Sequence, residues 1–333
     1  MDLITKIRTE FESCFKASVL QHIPENIVGL KSMVEYHFGW NNPVSVPGKR
    51  LRPLFLILTY SALGGKPEEV FLPAAAMETL HNFTLVHDDI QDQGLTRHGQ
   101  TALWCKFGMP LAINVGDYLS NLSHRLVATR HDSINDKNRE IAINAFQNAT
   151  LEVIQGQQLD ISYENYKRLS VEEYLEMIRL KTSRLIAGSM RIGASLKGFQ
   201  VEMIDQLDGI GEKLGLGFQI QDDYLGVWGK TDKTGKSVST DLTTRKKAYP
   251  ALIGLEKSPE FARIWDEDNE ISEVELAQMK KCLEEIGADH QTKMLARNYY
   301  ENAKSELIKI LPTTNQYTNA FLELIDLMFK PSR

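Results

Sequence analysis

The chain predicts an all-α fold, on three observations. Apolar residues recur at three- and four-residue spacing in almost every segment, alternating β-branched runs are nearly absent, and glycine or proline punctuates the periodic stretches. With 333 residues, 42% hydrophobic and 25% charged, the composition is that of a globular protein able to bury a sizeable core. No Pro/Ser/Gly-rich linker, low-complexity tract or fixed-period repeat divides it. One bundle-like domain over residues 1–333 is the simplest organisation.

The elements follow in order. Residues MDLITKIRTEFESCF are amphipathic and contain acids, unlike a signal or transit peptide. Ile27, Leu30, Met33 and Val34 lie at helical spacing, with Pro24 suited to a first turn. Residues 50–63 form an apolar helix stopped by Gly64-Gly65. Pro67 opens the next helix, which runs through AAAMETLHNFTLVHDD. Further helices are predicted over 110–128, 137–162, 171–193, 200–227, 241–256, 273–286, 288–310 and 316–329, with loops at 41–48, 93–101, 130–137 and 229–240. The stretch GIGEKLGLGF (209–218) is glycine-rich yet helical in pattern. Each interior glycine costs about 1 kcal/mol against alanine, so another helix or a subunit must approach closely there. It is no dinucleotide loop, because no strand precedes it.

Composition also excludes functions. A net charge of -6 argues against a nucleic-acid surface. Cys14, Cys105 and Cys282 are scattered, odd in number and without metal spacing, which fits free thiols in a reducing cytoplasm. No run of eighteen apolar residues spans a membrane, so a soluble, cytoplasmic protein is expected.

Chemistry concentrates in two acidic clusters, DDIQD (Asp88, Asp89, Asp92) and QDD (Asp222, Asp223). Each ends a long apolar stretch, where helix carbonyls already concentrate negative charge. Burying such carboxylates uncompensated costs several kcal/mol each, and no lysine or arginine lies within four residues of the triad. A divalent cation with hard oxygen ligands is the economical answer. On a helix, Asp88 and Asp92 share one face about 6 Å apart along the axis, a spacing that clamps metal ions bound to a diphosphate. If the two helices pack side by side, the clusters face each other across a cavity. Among the cations, Pro47-Gly48-Lys49-Arg50-Leu51-Arg52 is a loop-to-helix junction suited to an anion, and Lys181, Lys236, Lys246 and Lys247 are further candidates.

In order, PGKRLRP (47–53), ETLHNFTLVHDDIQD (78–92), RHG (97–99), GQQLD (156–160), KTSRL (181–185), FQIQDDYLG (218–226), TGKS (234–237) and DLTTRKKAYP (241–250) resemble the trans-isoprenyl diphosphate synthases, the polyprenyl synthetase family. The resemblance covers about residues 45 to 255. It implies an antiparallel isoprenoid synthase-like bundle around a central cavity. The implied reaction is Mg²⁺-dependent head-to-tail trans-prenyl transfer. Isopentenyl diphosphate condenses with dimethylallyl, geranyl or farnesyl diphosphate by ionisation, condensation and elimination, with a trio of magnesium ions at the loaded site.

By that resemblance Asp88, Asp89 and Asp92 bind the allylic diphosphate through metal, and Asp222, with Asp223 close by, supplies the remaining ligand. Where family members often carry a further aspartate, this chain has Gly226. Lys49, Arg50 and His81 grip isopentenyl diphosphate, joined by His98, which stands where the family has arginine. Arg97, Lys181, Lys236 and Lys247 face the allylic diphosphate, while Thr182 and Gln219 line the developing cation. Phe83, with Thr84, Leu80 and Met77, sets product length. A large residue at Phe83, and no two-residue insertion in the first motif, favour a twenty-carbon product, then a fifteen-carbon one. A homodimer is implied, with the helix at 110–128 and the glycine-bearing helix as interface candidates. Terpene cyclases and head-to-head synthases share the aspartate motif but need no isopentenyl site. A non-catalytic regulatory subunit is the other alternative.

Overall fold

The computed structural model describes residues 2–42, 48–229, 240–311 and 314–330. The fold is all-α, apart from one two-stranded ribbon among the described residues. It divides into two compact units. One comprises residues 1–150, 188–208 and 311–324, the other 151–187, 209–310 and 325–333.

In the first unit, α1 (Leu3–Leu20) starts at Asp2, whose side chain accepts the Thr5 N–H, and buries Ile4, Ile7, Phe11, Phe15 and Val19 along one stripe. Helix α2 (Leu30–His37) begins after Gly29 at φ 79°, so the start expected at Pro24 is displaced to a left-handed residue that only glycine adopts cheaply. Helix α3 (Leu51–Ala62) is apolar nearly throughout and buried. Pro67 opens a 3₁₀ turn, and α4 (Phe71–Gln91) follows it. Helices α5 (Leu103–Phe107) and α6 (Met109–Ala128) come next, and α4 packs along α6, α3 and α1. The expected loop at 93–101 contains strands β1 (Thr96–Arg97) and β2 (Gln100–Thr101), paired antiparallel. His98 and Gly99 between them both have positive φ (50° and 75°), the conformation that closes a two-residue hairpin. Helix α7 (Asp136–Glu164) continues across the division between the units.

The second unit departs from sequence expectation at three places, one of them a helix over Pro259–Trp265, where none was expected. The single helix expected over 171–193 is α8 (Val171–Ile178), a π-helical turn at Arg179–Ser183, and α9 (Arg184–Lys197). Glycines on two neighbours make room for that turn. A Cβ on Gly156 of α7 would lie 2.2 Å from Lys181 N, and one on Gly215 of α10 (Val201–Trp228) would lie 2.3 Å from Ser183 Cα. Within the glycine-rich stretch Gly215 is thus a point of close approach, to a backbone turn of the same chain, whereas a Cβ on Gly209 would meet nothing within 4 Å. The helix expected over 241–256 is broken into α11 (Thr240–Thr243) and α12 (Tyr249–Lys257). Arg245 between them adopts φ 51° and donates to the carbonyls of Trp265 (3.0 Å), Glu267 (2.5 Å) and Asn269 (2.7 Å). Helices α13 (Pro259–Trp265), α14 (Glu273–Glu285) and α15 (Ala288–Ile310) complete this core around Phe261, Met279 and Leu283. Helix α16 (Gln316–Phe329) closes the described chain. Among the described residues no helix is long and apolar enough to cross a membrane.

Candidate active site

The first acidic motif occupies the last turn of α4, with Asp92 as its C-cap. Gln93 then takes a left-handed φ of 53°, and the chain turns into the ribbon. The three aspartates are not equivalent. Asp88 is half-buried and Asp92 exposed, whereas Asp89 is 3% exposed. Arg97 holds Asp89 in a forked pair, Nη2 at 2.5 Å and Nε at 3.0 Å from Oδ1, with Oδ2 at 3.1 Å from Nε. The family resemblance implied Asp89 on a metal and Arg97 on substrate; here their side chains meet each other. The reason is the hairpin, which turns Arg97 back over the helix end.

A basic nest lies in the same unit. Arg52 Nε and His81 Nδ1 are buried without a hydrogen-bond partner. Burial lowers Arg52 to about 10 against the help of Glu78. His81 is pushed well below the usual histidine range by burial, then by Arg52, Arg97, Arg50 and His98, so its ring is neutral and donates from whichever nitrogen carries the proton. His98, at the hairpin tip, is lowered by partial burial and then by Arg97 and Arg50, so at neutral pH it is a hydrogen-bonding group rather than a cation. The depressed Arg52 cation beside the neutral His81 ring, each with an unpartnered buried nitrogen, is a site that an anion completes. Arg50, expected here as a ligand, points elsewhere. Its Nε lies 2.6 Å from Glu12 Oε1 and its Nη1 2.6 Å from Glu78 Oε1. Arg52, part of the basic junction expected to meet an anion but not among the residues implied to grip isopentenyl diphosphate, stands in the first turn of α3 with its Nε buried. Lys49 is exposed beside them.

The second motif lies two turns before the end of α10, not at its terminus. Asp222 is exposed and Asp223 is 1% exposed. Asp223 accepts from the Tyr174 hydroxyl, from Gln219 Nε2 (3.1 Å), from Lys246 Nζ (3.3 Å) and from Tyr249 N (3.4 Å). That donor set satisfies a buried carboxylate with no metal, so the expectation of Asp223 as a ligand meets a residue already committed. Gln219 in turn accepts from Thr182 Oγ1 at 2.8 Å, which fixes its amide between the π-turn and α10. A Cβ on Gly226 would lie 2.2 Å from Asp241 Oδ2. The space left by the missing side chain is thus filled by Asp241, which also pairs with Lys246 at 3.6 Å.

The lysines separate likewise. Burial opposes the charge on Lys246, but Asp223, Asp241 and Asp222 raise its pKa well above the usual value. Lys247, expected on the allylic diphosphate, instead donates to the Glu164 carbonyl at 2.9 Å. Lys181 projects from the π-turn and is paired with Asp160 on α7. Lys236 lies outside the described residues. Along α4, Phe83 is 8% exposed and stacks edge-on against His87 at 5.0 Å, while Leu80 and Met77 are fully buried and Thr84 Oγ1 donates to the His81 carbonyl (2.8 Å).

The aspartates at the end of α4 and Asp222 on α10 offer hard oxygen donors of the kind magnesium takes. Among the described residues no three carboxylates, imidazoles or thiols already converge on a point.

An all-α chain with an acidic motif on each of two helices defines the class of helical proteins to compare it with. The polyprenyl synthetase family model matches residues 39–286, and the chain belongs to that family. It is 34% identical over 226 residues to the (2E,6E)-farnesyl diphosphate synthase of Mycobacterium tuberculosis (strain ATCC 25618 / H37Rv), covering 66% of this chain. The match spans 62% of that relative's length. With the geranylgeranyl diphosphate synthase of Sulfolobus acidocaldarius it shares 33% identity over 267 residues, covering 79% of this chain and 81% of that protein. A solved polyprenyl synthetase from Streptomyces coelicolor A3(2) superimposes with TM-score 0.86 at 32% identity, covering 98% of each chain.

Proposed function

We propose that the chain is a Mg²⁺-dependent, head-to-tail trans-prenyltransferase that joins isopentenyl diphosphate to an allylic diphosphate. The observation that carries this is the pair Arg52 Nε and His81 Nδ1, buried polar atoms without a hydrogen-bond partner. With Lys49 nearby they suit an anion held by protein groups without metal, which a cyclase or head-to-head synthase does not need. Lys49, Arg52 and His81 bind isopentenyl diphosphate, with His98 donating a neutral hydrogen bond. Asp88, Asp92 and Asp222 are the metal ligands. Magnesium, when bound, supplies positive charge that neutralises the allylic diphosphate. Lys181 and Lys246, with Lys236, add fixed cations to the departing group. The carbon–oxygen bond of the allylic diphosphate breaks and the oxygen keeps the electron pair. The Thr182 hydroxyl and Gln219 carboxamide, locked to each other, face the cation with dipoles and offer it no strong nucleophile. The isopentenyl double bond then forms the new carbon–carbon bond, and the released diphosphate takes the proton lost from the isopentenyl unit.

Phe83 on the tail side of Asp88 supports a twenty-carbon product first and a fifteen-carbon one second, and relatives of both names support that range. Three free thiols support a cytoplasmic protein, and exposed Met109, Leu111 and Ile113 on α6 support a homodimer. Purified protein given labelled isopentenyl diphosphate, Mg²⁺ and dimethylallyl, geranyl or farnesyl diphosphate in turn should release longer prenyl diphosphates. Absence of any elongation with all three primers would overturn the reading. Sedimentation of the intact protein tests the dimer.

A further inference from the structure

We infer that the N-terminal helix is part of the isopentenyl diphosphate site: Glu12 on α1 and Glu78 on α4 clamp Arg50, and this clamp positions Lys49 and Arg52. Here Arg50 is a positioning residue. The inference rests on the reading of Lys49, Arg52 and His81 as that site.

Three observations carry it. Arg50 adopts φ 52° and ψ 39°, a left-handed conformation unfavourable for a side chain of this size, at the N-cap of α3. Its guanidinium is forked between two carboxylates, each at 2.6 Å, with its own side chain 7% exposed and that of Glu78 6% exposed. Its Cζ lies 5.4 Å from the Phe15 ring centroid, and Phe15 stacks on Phe11 at 5.6 Å, so α1 supplies a carboxylate and an aromatic face together. The clamp continues inward. Asn82 Nδ2 donates to Glu78 Oε1 at 3.2 Å, and Asn82 Oδ1 meets His37 Nε2 at 3.1 Å. Glu78 is thereby fixed from behind.

The consequence is geometric. Backbone torsion at Arg50 sets the direction in which Lys49 leaves α3, and Arg52 stands on the first turn beyond it. Released from its carboxylates, Arg50 relaxes toward ordinary torsions and carries Lys49 off the anion. Glu12 lies outside the residues matched by the family model, so the family match does not include it.

The test compares Glu12→Gln and Arg50→Lys with the exposed control Glu10→Gln, after thermal melts show that each is folded. KM for isopentenyl diphosphate, and its affinity measured by calorimetry in EDTA, should weaken about tenfold in both variants. KM for the allylic primer and kcat at saturation should stay within about twofold, and the control should not change. Weakening in Arg50→Lys with Glu12→Gln unaffected would mean that Arg50 touches substrate directly and overturns the inference. Equal loss for both substrates would make the clamp merely structural and also overturns it. Wild-type protein that neither binds nor consumes isopentenyl diphosphate would remove the functional reading itself. Wild-type binding matched by both variants would remove only the clamp.

Discussion

The acidic ends of α4 and α10 solve the same electrostatic problem with different partners. In each, one aspartate is buried and satisfied by protein, while a neighbour faces outward. On α4 the buried Asp89 is held by one guanidinium that returns from a hairpin. On α10 the buried Asp223 is held by a hydroxyl, a carboxamide, an ammonium and a backbone N–H. The lesson is that an Asp-Asp pair divides labour. The inner carboxylate is committed to the surrounding cations and dipoles, and the outer one is the ligand under the function proposed above. Because the α10 network has more members, losing one should be shared among the rest, whereas Arg97 has a single carboxylate to lose.

The largest effects should come from the outer residues. Asp88→Ala and Asp222→Ala should each cut turnover about a thousandfold while melting near wild type, read by product formation and thermal melts. Survival of full rate in either would break the division. Asp89→Asn should lower turnover about ten- to a hundredfold and stability by about 2 kcal/mol, because it leaves Arg97 partly buried without its counter-charge. The urea midpoint should fall accordingly. Among the cations, Lys246→Ala should cost about tenfold in kcat/KM for the allylic primer, and Lys247→Ala less than about twofold, since only Lys246 meets the acidic network. Equal losses would show that the two lysines are not distinguished. Phe83→Ala should lengthen the products seen by chromatography without a comparable change in rate.

The last prediction bears on stability rather than turnover, and concerns pH. His37 is lowered by burial to about 4, although Asn82 raises it somewhat, and His81 is lowered too. Both bind protons more weakly folded than unfolded, where the ordinary value is near 6.5. Their contribution is therefore intact above pH 6.5 and is lost as pH falls toward 4. For His37 this amounts to about 3 kcal/mol. Urea melts between pH 7 and pH 4.5 should show the decline, and His37→Gln should flatten it.

Much of this was legible in the residues. Helix periodicity and glycine stops located α3, α6, α10 and α15 closely, and the motifs drew attention to both acidic clusters. What periodicity does not encode is which of two near neighbours turns inward. Arg50 and Arg52 differ by two positions and Lys246 and Lys247 by one. Their directions are set by Glu12, Glu78, Asp223 and Asp241, which are distant in sequence or separated by a turn. The π-turn carrying Lys181 was equally hidden, because the room for it is left by Gly156 and Gly215 on other helices. Gly226 looked like a missing carboxylate, yet in space it is room for Asp241.

The division between inner and outer aspartates is tested most directly by titrating Mg²⁺ against isopentenyl incorporation in Asp222→Asn and Asp223→Asn side by side. Asp222→Asn should raise the half-saturating Mg²⁺ concentration about tenfold. Asp223→Asn should leave that concentration where the wild type has it and lower the maximal rate and melting temperature instead. A Mg²⁺ requirement shifted by Asp223→Asn and untouched by Asp222→Asn would contradict the account.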